Sequence, residues 1–515
     1  MSVGTRVCAQ TGLSLPTRIR SIAASRGHQV ALIDEAGAAT YGELATAIAT
    51  AAAQWRSFGI EAGDRIATAM EPSSAYAALL LGCLAAGIVP APVNTRLSPV
   101  EARRFLDAVG ATVVVADTVH ADLAEATGHS VIVLDQALET GSLKQRLGRF
   151  GAGEGVVLAP VDEDAPAIII ATGGTTGTPK GVYYDHRGLG LFMIAGSAYD
   201  GGNRFDTQLA MSPFFHLALM TGVFARLWAG GAVRTLRRFD AGNALMAIEE
   251  GCTRTAAAGT LLAIMRDHPR FAQTHRTGLK SIRLGGMPSG PEFLLELMAS
   301  YPNAALRHSY AATEFGTVTA VEHEDFLAGR IDGIGRPHPG AEVLIVREDG
   351  SLADVGEVGE LVVSCPWQSR GYWDNAEETA ATYRSDGIHL GDLGSVDEDG
   401  WFSIAGRRKE MIISGGENVF PAEVEVVLRR HPGVVDLIVY GMQDERWGER
   451  IEIGVVVHEG SELSLEELRE FGRKDLAGYK LPKSMRVIDE IPLTTVRKPD
   501  RRAARAAALA DGGRS

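Results

Sequence analysis

Ala167-Ile-Ile-Ile170 leads almost directly into Thr172-Gly-Gly-Thr-Thr-Gly-Thr-Pro-Lys-Gly181. A short β-branched apolar run closed by glycine predicts a buried strand. The loop behind it is unusual in its chemistry. Gly173, Gly174 and Gly177 let a backbone come close to a ligand. Thr172, Thr175, Thr176 and Thr178 add hydroxyl donors, and Lys180 adds a charge. Together they would cradle a polyphosphate by backbone and hydroxyl donors. A Walker A loop needs Gly-Lys-[Ser/Thr], whereas here Pro179 precedes the lysine and Gly181 follows it. The bland alternative is a flexible linker, but linkers rarely follow a buried strand and end in Pro-Lys-Gly.

Outward from this loop, strand-like runs alternate with helical patterns. Ile66–Met70, Ala111–Ala116 and Val131–Leu134 read as strands. Ser73 is placed to cap the apolar run Ala75 to Val89. That run falls short of the roughly 20 residues needed to span a bilayer and reads as a buried helix ending at a strand. Such βα alternation predicts an α/β fold with βαβ-type sheets covered by helices. The last stretch differs. Pro421 opens a helix over 422–430, Val435–Tyr440 and Ile451–Val457 are strands, Ser464 caps the segment 465–471, and 484–488 is a last strand before an Ala/Arg-rich helix. This is a small α+β unit. The expected division is a large multi-subdomain body over 1–407 and a small mobile domain over 408–515. The junction is Gly406-Arg-Arg-Lys409, glycine-led and charged.

The 515 residues carry 50 Lys+Arg against 64 Asp+Glu, a net charge of −14. That balance argues against a nucleic-acid partner, which usually needs a basic face. Cys8, Cys83, Cys252 and Cys365 form no CxxC pair. This argues against a disulfide framework or a zinc site, so the expected setting is a reducing cytoplasm. No apolar signal segment follows Met1. The 60 glycines are a clear excess over the usual share of about 7%.

The glycine loop resembles the phosphate loop of the adenylate-forming superfamily: acyl-CoA synthetases, peptide-synthetase adenylation domains and luciferases. Further motifs follow in order. His308-Ser-Tyr-Ala-Ala-Thr-Glu-Phe-Gly316 is similar to Tyr-Gly-x-Thr-Glu, and His389-Leu-Gly-Asp-Leu-Gly394 to His-Thr-Gly-Asp. Gly406 to Pro421 resembles the hinge and the loop after it, and Pro492-Leu-Thr-Thr-Val-Arg-Lys498 the terminal lysine motif. Thr40-Tyr-Gly-Glu-Leu44 and Gly63-Asp-Arg-Ile66 resemble the opening segment. The resemblance spans nearly the whole chain and is strongest to acyl-CoA synthetases.

What it implies is a ligase that uses ATP, Mg²⁺ and coenzyme A. A carboxylate attacks the α-phosphorus of ATP to give acyl-AMP, and a thiol then takes the acyl group. Thr172 to Thr178 and Lys180 would hold phosphates. Gly285, Gly286, His308, Ser309 and Tyr310 would line the nucleotide, with Tyr310 stacked on adenine. Thr313 would donate to the α-phosphate, and Glu314 would hold Mg²⁺ through carboxylate oxygen. Asp392 would accept the ribose hydroxyls through its two oxygens, with Arg407 donating from the other side. Lys498 would reach the α-phosphate and the acid. Rotation about Lys409 would withdraw Lys498 and bring in Ser414, Gly415, Gly416 and Glu417 as a pantetheine tunnel, with Trp447 beside it; a structural tryptophan is an equal reading there.

Phe215 and His216 resemble the aromatic/His gate of the acid pocket, and His216 is counted among the catalytic candidates. Gly259, Met287, Ala311 and Ala312 would supply a wall of small or slender side chains. No lysine or arginine stands out as aimed at a second carboxylate. The expected acid is bulky and apolar: aryl, medium or long acyl, or polycyclic, within lipid or secondary metabolism. Four departures stand out. Gly173 replaces a frequent Ser, Ala311 a Gly, Leu390 a Thr, and Val496-Arg497 a Ser-Gly pair. They weigh more on the thiol step than on adenylation. The alternative function is an adenylating enzyme that passes its acyl-AMP to a carrier protein or partner enzyme. The sequence does not read out an oligomeric state, and a homodimer is one candidate.

Overall fold

The apolar run after Ser73 forms the helix Ser74–Ala86 in this computed structural model, with every residue buried. The Ser73 side chain accepts from the Tyr76 backbone N–H, and Gly87 closes the helix at φ 74°. The strand Val89–Pro92 follows. The structure describes residues 12–134, 143–148, 161–172, 180–286, 290–458, 460, 463–494 and 498–512.

Two compact units emerge. One comprises Met1–Ile331, Pro337–Glu342 and Val363–Ile388; the other comprises Asp332–Arg336, Val343–Val362 and His389–Ser515. The second unit thus begins earlier in the chain than residue 408 and takes in the Gly406–Lys409 junction.

The larger unit is built on two largely parallel sheets and a small antiparallel one. Val89–Pro92, Arg65–Ala69, Val113–Asp117 and Val131–Leu134 lie side by side in that order, all parallel. Their core is packed by Ala67, Val89, Phe105, Leu106, Val114 and Ile169. Eight of the nine strands of the largest sheet lie in the order Gly316–Val321, Ala305–Ala312, Ser281–Gly285, Arg254–Ala257, Thr207–Ala210, Ala232–Thr235, Val30–Asp34 and Gly37–Thr40. Parallel strands need crossovers, and helices such as Gly259–Asp267 and Pro291–Ser300 supply them. The strand expected after residue 166 extends over Pro166–Thr172 and pairs antiparallel with Lys180–Asp185. The Gly/Thr-rich loop is therefore the connection of a hairpin, with Thr172 opposite Lys180.

The second unit carries most of the strand Gly387–Val396, from His389 on, antiparallel to Phe402–Arg407. It also holds a sheet ordered Glu417–Val419, Ile412–Ser414, Gly448–Val457 and Val434–Asp444, with Ser484–Val487 parallel on Gly448–Val457. The helices Pro421–Leu428 and Leu465–Gly472 cover one face of it through Val424, Leu428 and Leu468. Arg501–Gly512 packs Ala504 and Ala508 on Ile438 and Tyr440. Pro421 stands in the first turn of its helix, and Ser464 forms a capping box with Glu467. Among the described residues, no helix is long and apolar enough to cross a membrane. Cys83, Cys252 and Cys365 are buried and unpaired by disulfides.

Candidate active site

In the larger unit the foot of the glycine loop and the Thr-Glu motif meet. Gly173 to Thr178 lie outside the described residues, as does Met287. Thr172 and Lys180, which flank the loop, are described. The Lys180 ammonium pairs with Glu378 and stands 4.9 Å from the Tyr372 ring centre. The Tyr372 hydroxyl donates to Glu314 Oε1 at 2.9 Å. Both Tyr372 and Glu314 are buried. Burial, with the Glu314 carboxylate beside it, holds the Tyr372 phenol well above its ordinary range, so it remains a donor. Tyr184 donates to the Thr313 carbonyl at 2.7 Å, and the Ser369 N–H donates to the Glu314 carbonyl at 2.8 Å.

Glu314 is thereby fixed from side chain and backbone alike. This is the setting a hard cation needs: one oriented carboxylate oxygen, with phosphate and water as its other ligands. Among the described residues no group of three or more His, Cys, Asp or Glu side chains forms a metal site by itself. A single oriented carboxylate such as Glu314 fits the protein's share of an Mg²⁺ site whose other ligands are phosphate and water. Tyr372 and Glu378 were not singled out in the sequence; neither sits in a motif, and only folding brings them to Glu314 and Lys180.

The strand Ala305–Ala312 carries His308, Ser309, Tyr310, Ala311 and Ala312. Its pairing with Gly316–Val321 slips between Tyr310 and Ala311. A bulge there re-aims side chains at the end of the strand. His308 and Ser309 are buried, while Tyr310 to Thr313 are half-buried. The Tyr310 ring lies 5.7 Å from that of Phe315. Gly285 pairs with Ser309, and Gly286 follows at φ 83°. The expected acid-pocket residues come from neighbouring elements. Gly259 opens a helix directly behind the strand Arg254–Ala257. Phe215 and His216 face each other at 4.5 Å between ring centres. They lie just before a π-type turn, Leu219–Phe224, with Leu217 and Ala218 between, a geometry common at functional sites.

In the second unit, Asp392 and Arg407 are register partners, and Arg407 Nε lies 2.9 Å from Asp392 Oδ1. Asp392 is buried. The turn before it is anchored by Glu360, which was not legible in the sequence. Glu360 contacts His389 Nδ1 at 3.0 Å, accepts from the Gly391 N–H at 3.1 Å and pairs with Arg408 Nη2 at 3.1 Å. Leu390 is half-buried in that turn. Lys409 lies in the single turn Arg408–Glu410.

Ser414 to Glu417 form a two-residue hairpin. Gly415 and Gly416 have φ of 66° and 85°, as this turn type demands. Gly415 donates to the Trp447 carbonyl at 2.8 Å. A Cβ on Gly415 would come within 3.0 Å of the Trp447 ring, whereas one on Gly416 would meet nothing within 4 Å. Lys483 bridges the group, donating to Ser414 Oγ at 3.0 Å and lying 4.7 Å from the Trp447 ring centre. Lys498 is exposed and held by a backbone loop: its N–H donates to Thr494 Oγ1 at 3.1 Å, and its carbonyl accepts from the Thr494 N–H at 2.7 Å. Val496 and Arg497 lie outside the described residues. Glu314 belongs to one compact unit, and Asp392, Arg407 and Lys498 to the other.

The fold and these motifs define an adenylate-forming enzyme, an acid–thiol ligase. The chain belongs to the AMP-binding enzyme family: the family profile matches residues 19–373, and its C-terminal domain profile matches residues 423–498. A feruloyl-CoA synthase of Amycolatopsis sp. is 33% identical over 480 residues, covering 91% of this chain and 93% of that one. A fatty acid–[acyl-carrier-protein] ligase of Streptomyces coeruleorubidus is 30% identical over 482 residues, covering 90% of each. The structure of o-succinylbenzoate CoA synthetase from Bacillus subtilis, in complex with its acyl-adenylate intermediate, matches with a TM-score of 0.85 and 27% identity, over 95% of this chain and 97% of that one.

Proposed function

We propose that this chain activates a carboxylic acid with ATP to an acyl-AMP and transfers the acyl group to coenzyme A. The carrying observation is the contact chain from Lys180 through Tyr372 to Glu314, which joins the foot of the phosphate loop to the Thr-Glu motif. Mg²⁺, when bound, supplies charge neutralisation on the phosphates. The protein needs no covalent nucleophile; its task is positioning and electrostatic stabilisation.

In this reading Lys180 and the threonine hydroxyls orient the phosphates. Glu314, held by Tyr372, presents its carboxylate to the cation. Thr313 donates to the α-phosphate, and Tyr310 stacks on the base. Asp392 binds the ribose hydroxyls with Arg407 beside it, and Glu360 keeps that turn in place. Lys498 brings its charge to the oxygens of the attacking carboxylate and the α-phosphate. The small domain from about residue 408 then rotates at Lys409, removing Lys498 and delivering the Ser414–Glu417 hairpin as a slim path for the thiol arm. His216 and Phe215 gate the acid, and the setting is a reducing cytoplasm.

A second reading is an enzyme that hands its acyl group to a carrier protein. The similarity to a relative named as a fatty acid–[acyl-carrier-protein] ligase favours it. One experiment separates the two. A panel of acids is run in ATP–pyrophosphate exchange, and AMP-coupled thioester formation is then followed with and without CoA. Exchange without any CoA-dependent thioester would remove the first reading and leave the second.

A further inference from the structure

The larger unit holds a cavity of about 320 Å³. That is at the small end of the usual range for ligand pockets, roughly 300–1,000 Å³. Part of its wall is apolar, from Phe192, Ala195, Pro339 and Trp367. The rest is polar, from Tyr199, Thr221, Arg283, Thr317 and His338. Several of these residues sit on elements that carry the candidate acid site. Arg283 is two residues before Gly285, on the same face of one strand. Thr317 is the register partner of Ala311. Thr221 lies in the turn entered from His216.

The polar side is not self-satisfied. Among the described residues, His338 Nε2 is buried with no hydrogen-bond partner, and the buried Tyr199 hydroxyl has only Ser309 beside it, which donates to its oxygen and leaves its proton free to donate. Buried polar atoms left so are uncommon and ask for a partner. The His338 imidazole is neutral: burial, reinforced by Arg283 and Arg307, pulls its pKa down to about 3. The charge balance leans positive. Arg226, Arg254 and Arg283 share Asp200 at 3.7, 3.9 and 3.6 Å. Asp206 also faces Arg254, and Glu322 faces Arg307. Four guanidinium groups thus stand against three carboxylates. Arg283 spends one donor on the Thr221 carbonyl at 3.0 Å.

We infer that this cavity receives the end of the acid remote from the reacting carboxylate, and selects acids that carry an oxygen acceptor there over plain hydrocarbon acids. A ring hydroxyl, a carbonyl or a second carboxylate shares the required chemistry: it accepts from the Tyr199 hydroxyl and lies in the positive field of Arg283. A hydrocarbon end would leave the Tyr199 proton and His338 Nε2 without an acceptor or donor, which is the stronger form of substrate rejection. This inference rests on the acid-ligase reading above and sharpens the apolar acid expected from sequence into an amphipathic one.

The test uses the intact protein in ATP–pyrophosphate exchange with four acids: cinnamate, 4-hydroxycinnamate, 4-carboxycinnamate and octanoate. At least one oxygen-bearing cinnamate is expected to exceed both hydrocarbon acids in kcat/KM by about tenfold or more. Whichever of the two leads identifies the oxygen the cavity prefers. Tyr199→Phe, which removes one oxygen and keeps the ring, is expected to narrow that ratio by about threefold or more, in whichever direction the absolute rates move. If cinnamate or octanoate matches the oxygen-bearing acids, the inference is overturned while the ligase reading stands. If no acid in this or a broader panel supports exchange, the ligase reading itself fails.

Discussion

Tyr372→Phe tests the cation-binding role proposed for Glu314. The substitution removes one hydroxyl that donates to Glu314 Oε1 at 2.9 Å and leaves the ring beneath Lys180 in place. Both partners are buried, at 6% and 7% exposure, so water does not readily replace the lost bond. A hydrogen bond to a charged group contributes about 1.5–3 kcal/mol. Part of that loss falls on fold stability, and part on how well Glu314 is oriented. Loss of a partner that orients a metal ligand typically costs about 10–100-fold in metal affinity or activity. We therefore expect the Mg²⁺ concentration for half-maximal pyrophosphate exchange to rise by about tenfold or more. The KM for the acid should move much less, because the change is at the phosphate end. The assay is exchange rate against MgCl₂ at fixed ATP and acid, with a melting curve to confirm folding. An unchanged Mg²⁺ dependence in a well-folded variant would refute the role given to Glu314 and to its tyrosine.

Lys498→Ala is expected to lower acyl-AMP formation by about 100-fold or more while nucleotide binding, read by calorimetry, stays within about threefold; full activity would sink the assigned role. Gly415→Ala places a side chain at φ 66° and 3.0 Å from the Trp447 ring. A non-glycine residue in the left-handed region costs roughly 1–2 kcal/mol, so thioester formation should fall more than pyrophosphate exchange, and equal effects on both would count against the tunnel. His186 is 1% exposed, and both its ring nitrogens lack hydrogen-bond partners among the described residues. Burial lowers its pKa to about 4, against partial opposition from Asp185, Asp162 and Glu163. Between about pH 6.5 and 4 the unfolded chain binds the proton and the folded one does not, so stability falls as pH drops through that window, by up to about 3 kcal/mol from this group. Denaturant midpoints at pH 7 and 5 test this, and His186→Phe should flatten that part of the profile.

Much of the fold was legible because local signals agreed with the tertiary outcome. Ser73 and Ser464 cap helices as expected, Pro421 begins one, and Thr40 and Glu43 form a capping box inside an opening motif. Glu314, Asp392, Arg407 and Lys498 were legible only as members of motifs. Tyr372, Glu378 and Glu360 were not legible at all, since a buried partner needs no sequence signature, only the right place in space. Arg283 gave no signal in the sequence: it is one charge in the strand Ser281–Gly285, and only the fold places it on a cavity with Tyr199 and His338.

The sequence alone determined the class of chemistry, because phosphate and nucleotide binding depend on short loops whose residue types and spacing are set along the chain. It also determined the α/β character, because hydrophobic period and capping act within a few residues. Tertiary structure decided that the glycine loop closes a hairpin, that Lys180 and Glu314 meet across Tyr372, and that a cavity in the larger unit is lined by Tyr199, Arg283 and a buried, unpartnered His338 Nε2. Each of these depends on residues tens to hundreds of positions apart, where burial and charge balance are properties of the packed assembly and no local pattern records them.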